Sequence, residues 1–245
     1  MREKQMNDPV AISKKQLDMI QQFEADYNAI DHFLRKALCI DKMTSVRYLL
    51  DEYTRKHPGW RDAEGLRTLA EVRNAIVHGK TEPYRYVAIP TPAIVQEMKR
   101  CRGRLMEPLR AIPTFQCRVA KLSTKDNLTS VMKMIKAHDF SQFPVYQEHC
   151  FAGLLTENGI TRWLATHVVK KLSLVELDDV SVEEVLENEE KRINYRFASR
   201  DMPVDDIKGL FSTMEMIEAV LITASGKESE RLLGIATRWD IIHLK

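Results

Sequence analysis

Cysteine is scarce in this chain of 245 residues: four, at Cys39, Cys101, Cys117 and Cys150. They form no CxxC pair and no Cys/His cluster at zinc spacing, which excludes a disulfide framework and a structural zinc module. Buried free thiols, and no metal, are the expectation. Glycine and proline number nine each, too few for a fibrous or low-complexity chain. No apolar run approaches the ~20 residues that cross a bilayer. Met1 to Ser13 is polar and charged, without the apolar core of a secretion signal. A cytoplasmic protein with no membrane partner is expected.

What remains is 44% hydrophobic and 29% charged, the composition of a globular protein able to bury a sizeable core. The net charge of +2 hides an asymmetry. Residues 1–112 carry 20 basic and 15 acidic side chains, whereas 113–245 carry 17 and 20. That imbalance neither identifies nor excludes a nucleic-acid partner.

The first half reads as helices. From Lys15 to Leu38 apolar residues recur at Leu17, Ile20, Phe23, Tyr27, Ile30, Phe33, Leu34 and Leu38, one stripe along a helix. A second helix over Thr44–Tyr53, with Thr44 as N-cap, precedes a third over Asp62–His78, stopped by Gly79 and Pro83. A fourth covers Ala93–Leu109. Short connections imply a four-helix bundle. Lys99, Arg100, Arg102, Arg104 and Arg110 cluster on the fourth helix; such a run is a solvated face or a track for an RNA backbone.

At Ile112-Pro113 the period changes, and one order of elements occurs twice. Strand Arg118–Leu122, helix Leu128–Ala137, strands Phe143–Tyr146 and Ala152–Leu155 and a helix from Asn158 make the first unit. Tyr195–Ala198, Val204–Met214, Ala219–Ile222, Leu233–Ala236 and a helix from Arg238 make the second. This is an internal duplication. Acid-rich Val175–Lys191 lies between the units as a linker.

In the second unit Leu233-Gly-Ile-Ala-Thr-Arg-Trp-Asp-Ile241 ends a strand at Ala236 and opens a helix at Thr237. A hydroxyl there can meet a phosphate, and Asp240, one turn on, can accept two hydrogen bonds from a ribose diol. The same Thr-x-x-Asp is also a capping arrangement that needs no ligand. Arg238 between them reads either as a phosphate grip or as a solvated charge; Trp239 reads as core.

With Phe140-Ser-Gln-Phe-Pro-Val145 and Gly153-Leu-Leu-Thr156 in the first unit, these residues resemble the CBS domain, a βαββα module that works in pairs. The resemblance implies an adenine nucleotide as ligand (AMP, ADP, ATP, S-adenosylmethionine or cyclic di-AMP). It places Thr237 on the phosphate and Asp240 on the ribose, with Arg196, Phe197 and Ala219 around the base. The first unit departs from the pattern: Thr156 is followed by Gly159 where the acid belongs, so one good site per chain is expected.

In the helical half, Ala70-Glu-Val-Arg-Asn-Ala-Ile-Val-His-Gly79 resembles the HEPN superfamily through Arg73, Asn74 and His78. In active members such residues cleave RNA without a metal: a His moves the proton and an Arg neutralises the oxyanions. Arg73 and His78 diverge by about 140° around one helix, so the resemblance implies a homodimer that pairs two motifs. His78 before Gly79 is equally a good helix ending.

The fold class expected is α+β: an N-terminal four-helix HEPN-like bundle (1–112), a first CBS domain (113–174), and an acidic linker with a second (175–245). Two functional readings follow. One is a regulatory protein that senses an adenine nucleotide through the CBS pair and signals to an N-terminal dimerisation or effector domain. The other is a nucleotide-gated, metal-independent ribonuclease.

Overall fold

The structure is a computed structural model that describes residues 12–40, 43–78, 86, 88–169, 177–187 and 193–244. It mixes helix and sheet and divides into two compact units, Met1–Leu109 and Arg110–Lys245.

The first unit holds four helices among its described residues: α1 (Lys14–Leu38), α2 (Val46–Lys56), α3 (Ala63–His78) and α4 (Pro92–Met106). Each start has a local cause. Ser13 caps α1 through a reciprocal box with Gln16, and Thr91 caps α4, whose first residue is Pro92, a position where the missing N–H costs nothing. The cap of α2 is Ser45, one residue beyond the expected Thr44; its hydroxyl accepts from the Tyr48 N–H. Gly79 and Pro83, expected to stop α3, lie outside the described residues. The α1 stripe buries Ile20, Phe23, Ile30, Leu34 and Leu38 against Leu49, Leu50, Ile76, Met98 and Leu105. Asp26 is buried within that stripe, held by Gln22 at 2.9 Å and by Arg102 of α4 at 2.9 Å. Pairing is what makes a buried carboxylate tolerable.

The second unit repeats one arrangement. It opens with α5 (Ala111–Thr114), a single turn, and its first repeat is β1 (Leu122–Ser123), α6 (Leu128–His138), β2 (Gln142–Gln147), β3 (Cys150–Thr156) and α7 (Glu157–Val169). After α8 (Val182–Glu187) the second repeat follows: β4 (Tyr195–Ser199), α9 (Val204–Thr213), β5 (Ala219–Thr223), β6 (Gly234–Thr237) and α10 (Arg238–His243). Each repeat forms a three-stranded sheet in sequential order, first pair parallel and second pair antiparallel. Only Leu122 of the first expected strand pairs in the ladder, joined there by Ser123; residues 118–121 run free of it.

The segments that lead into each repeat pack on the other one. Ala111 and Phe115 join the core of the second repeat with Ala198, Val204, Ile207 and Val220. The Ala111 and Ile112 N–H groups donate to the Met202 and Arg200 carbonyls. The acidic stretch expected to be a linker is, over its described part, the helix α8 and its approach. Val180, Val182 and Val185 enter the core of the first repeat with Leu128, Phe143 and Trp163, because the acids alternate with valines that a helical turn gathers on one side. Leu186 presses against Gly153, whose φ of +155° and missing side chain admit it.

Between the two sheets lies an apolar layer: Leu154, Ala219, Leu221 and Leu232, with Phe151, Tyr195 and Phe197 stacked edge to face. Three of the four thiols expected to be buried are exposed: Cys39, Cys117 and Cys150 sit at a helix end, in a connector and at a hairpin end, and only Cys101 is enclosed. No described helix is long and apolar enough to cross a membrane.

Candidate functional site

β6 delivers Thr237 to the start of α10, and a cleft of about 720 Å³ opens beside it. Ile235, Thr237, Trp239 and Asp240 line one side; His138, Asp139, Phe140 and Glu157 of the first repeat line the other. The connector Thr114–Cys117 completes the lining.

Thr237 and Asp240 meet, and they first satisfy each other. Asp240 Oδ2 accepts from the Thr237 N–H at 2.8 Å and from its hydroxyl at 2.7 Å, while the Asp240 N–H donates to Thr237 Oγ1 at 3.4 Å. This is a closed capping box. To donate to a phosphate, Thr237 would have to release Asp240. Asp240 Oδ1 has no hydrogen-bond partner among the described residues, and the side chain lines the cleft, so one carboxylate oxygen remains for a ligand.

Arg238 is exposed on α10, yet its guanidinium is tied to the backbone of its own repeat. Its guanidinium donates to four backbone carbonyls at the end of α9 and in the turn after it, those of Phe211, Met214, Glu215 and Ile217, at 2.7–3.3 Å. It also lies over the Phe211 ring. The last carbonyls of a helix lack intrahelical donors, and a fork of N–H groups satisfies several at once. Arg238 therefore ties α10 to α9.

Trp239, expected in the core, is 71% exposed and lies against His243 with ring centroids 3.9 Å apart. Across the cleft Phe140 stacks on His138 at 5.3 Å. The spacing of neither aromatic singles it out in the sequence; only the fold turns both toward one opening.

Arg196, Phe197 and Ala219 do not line this cleft. Arg196 donates to the Tyr195 carbonyl, Ala219 is fully buried, and Phe197 belongs to the layer between the sheets. In a parallel β4–β5 pair the residues of one face go together, and that face meets the first repeat.

In the first repeat Thr156 caps α7 by accepting the Gly159 N–H at 3.0 Å. With glycine at the acid position, no carboxylate answers to Asp240 there.

In the helical unit, the Arg73 guanidinium lies over the Tyr27 ring at 5.2 Å, and its Nε is buried without a hydrogen-bond partner. Asn74 is exposed, and the His78 side chain lies outside the described residues. The cations of α4 are largely engaged: Arg102 with Asp26, Arg104 with Asp62 and Glu97, Arg100 with Glu97. Among the described residues no three His, Cys, Asp or Glu gather where a metal could bind.

No protein-family model matches the chain, and no match to it is found among curated proteins. Its likeness is to solved CBS structures. The CBS domain pair of protein MJ0100, in complex with 5′-methylthioadenosine and S-adenosyl-L-methionine, is 18% identical, with 55% of this chain and 94% of that one covered and a TM-score of 0.42. Protein TA0289 from Thermoplasma acidophilum is 18% identical over 56% of this chain and 70% of its own, TM-score 0.42. A CBS domain-containing protein from Kribbella flavida is 10% identical over 55% and 95%, TM-score 0.43.

Proposed function

We propose that residues 110–245 bind an adenine nucleoside or nucleotide in the cleft beside Asp240, and that occupancy serves a regulatory, sensing role. In this reading the first unit is the dimerisation or effector part. The observation that carries it is the carboxylate of Asp240, half committed to its cap and half free, in a cleft whose two sides bear aromatic rings. A ribose diol supplies the donors that a carboxylate oxygen lacks. A purine gains about 1–3 kcal/mol by stacking on a ring such as Trp239 or Phe140. The cleft volume is that of small-molecule sites in general. For binding to regulate anything, the ligand must favour one arrangement of the protein over another.

The test is a thermal-melting series with AMP, ADP, ATP, S-adenosylmethionine and cyclic di-AMP. A specific ligand at 100 times its dissociation constant stabilises by about 2.7 kcal/mol. If none of the five shifts the transition, the proposal is abandoned. No observation on Arg73 and Asn74 favours the ribonuclease reading.

A further inference from the structure

The Asp240 cleft is acidic. Its charged lining is Asp139, Glu157 and Asp240, with His138 the one basic group. A second groove, of about 920 Å³, runs along the connector, and its charged lining is Arg118, Lys121 and Arg231 with no carboxylate. The two concavities share Gln116 and Cys117. None of the three cations has an ion-pair partner among the described residues. That is unlike Arg102 and Arg104 of the helical unit, which are paired. Lys121 lies over the Tyr146 ring at 5.0 Å. Glu230, the neighbour of Arg231 in sequence, is committed elsewhere: it accepts from the Ser225 N–H and hydroxyl at 2.6 Å. Lys121 and Arg231 also line a neighbouring concavity with Asp126, Glu148 and Glu230, and Glu228 acts on the Tyr146 and Tyr195 hydroxyls; none of these four acids lines the groove itself.

We propose that this groove receives the phosphate chain of the nucleotide whose ribose is held at Asp240, so that the ligand is an adenine nucleoside di- or triphosphate. The proposal rests on the reading of the cleft given above. Three carboxylates repel a phosphate and leave the cleft to the neutral base and sugar, while the adjoining cations attract it. The reach is short: the two residues from Gln116 to Arg118 span at most about 7 Å of extended chain, and an arginine side chain can lean back over part of that. S-adenosylmethionine, with a sulfonium and no phosphate, gains nothing from the groove.

Calorimetry on the full chain tests this with adenosine, AMP, ADP, ATP and S-adenosylmethionine, at low and high salt. The same series is run on the Arg118→Gln/Arg231→Gln variant. Both side chains are exposed, so the variant keeps its fold, checked by its unliganded melting temperature. Expected is an affinity that rises along the phosphate series, with ATP about tenfold or more tighter than AMP, as a few partly screened charge contacts allow. That gain disappears in the double variant and shrinks at high salt, while adenosine binds both proteins alike. ATP binding no tighter than adenosine, or keeping its advantage in the double variant, overturns the groove and leaves the cleft standing. Failure of every adenylate, adenosine included, overturns the reading of the cleft and this one with it.

Discussion

The carboxylate of Asp240 is divided between a cap and an opening, and two substitutions separate the tasks. Asp240→Ala removes the ligand contact and the carboxylate half of the cap, while Thr237 Oγ1 still accepts the backbone N–H at position 240, so the unliganded protein loses about 0.5–1.5 kcal/mol, the net worth of an ordinary hydrogen bond. Asp240→Asn keeps an acceptor oxygen for Thr237; its unliganded melting temperature stays near the original while adenylate affinity falls. An Asn variant that binds as tightly as the parent would remove the ribose from this site. Cys101 offers a second check. Burial first, with Asp62 nearby, pushes its thiol up to about 11, so at pH 8 it is protonated as well as enclosed. Thiol labelling of the native protein should modify Cys39, Cys117 and Cys150 quickly and Cys101 only on unfolding. Four fast thiols would mean that the helical core is open. Arg238 shows what residue type alone leaves undecided: beside Thr237 it reads either as a phosphate grip or as a solvated charge, yet the carbonyls it serves belong to residues 211–217, more than twenty positions away.

α5 and α8 each leave their own repeat and complete the other, and a glycine makes one of these exchanges possible. Gly234 of β6 bridges Gln116, and a Cβ there would stand 2.1 Å from the Phe115 carbonyl oxygen. Because that obstacle is backbone, Gly234→Ala must push the connector away. It should cost about 1–3 kcal/mol, as overpacking does, and weaken ligand binding too, since Phe115–Cys117 lines the cleft. Gly103, exposed on α4 with nothing near its missing Cβ, is the contrast: Gly103→Ala should stabilise by up to about 1 kcal/mol through helix propensity. Melting temperatures of the two variants that moved in the same direction would contradict this account.

Every residue that lines the cleft or the adjoining groove lies between positions 113 and 240, and the division of the chain falls after Leu109. The fragment 110–245 should therefore fold cooperatively and bind the adenylate with the affinity of the full chain, within about threefold, read by calorimetry. A folded fragment that no longer binds would place part of the site in the first unit. A fragment begun at Thr114 lacks Ala111, buried in the second core, and the two backbone bonds to Met202 and Arg200, and should melt lower.

Apolar spacing along Ile20, Phe23, Ile30 and Leu34, and the twice-repeated alternation of strand and helix after Pro113, were legible from the chain itself. These are local properties: a helix or strand declares its period within a dozen residues, and a cap within four. The Thr237–Asp240 box was equally legible, as cap and as candidate ligand contact. Other features needed the fold: the partners of Arg238, the place of Phe197 between the sheets, the outward turn of Trp239, the packing of residues 177–187 on the earlier repeat, and the meeting of Arg118 and Lys121 with Arg231. Each depends on which distant segment arrives alongside, and long-range packing decides that, not local propensity.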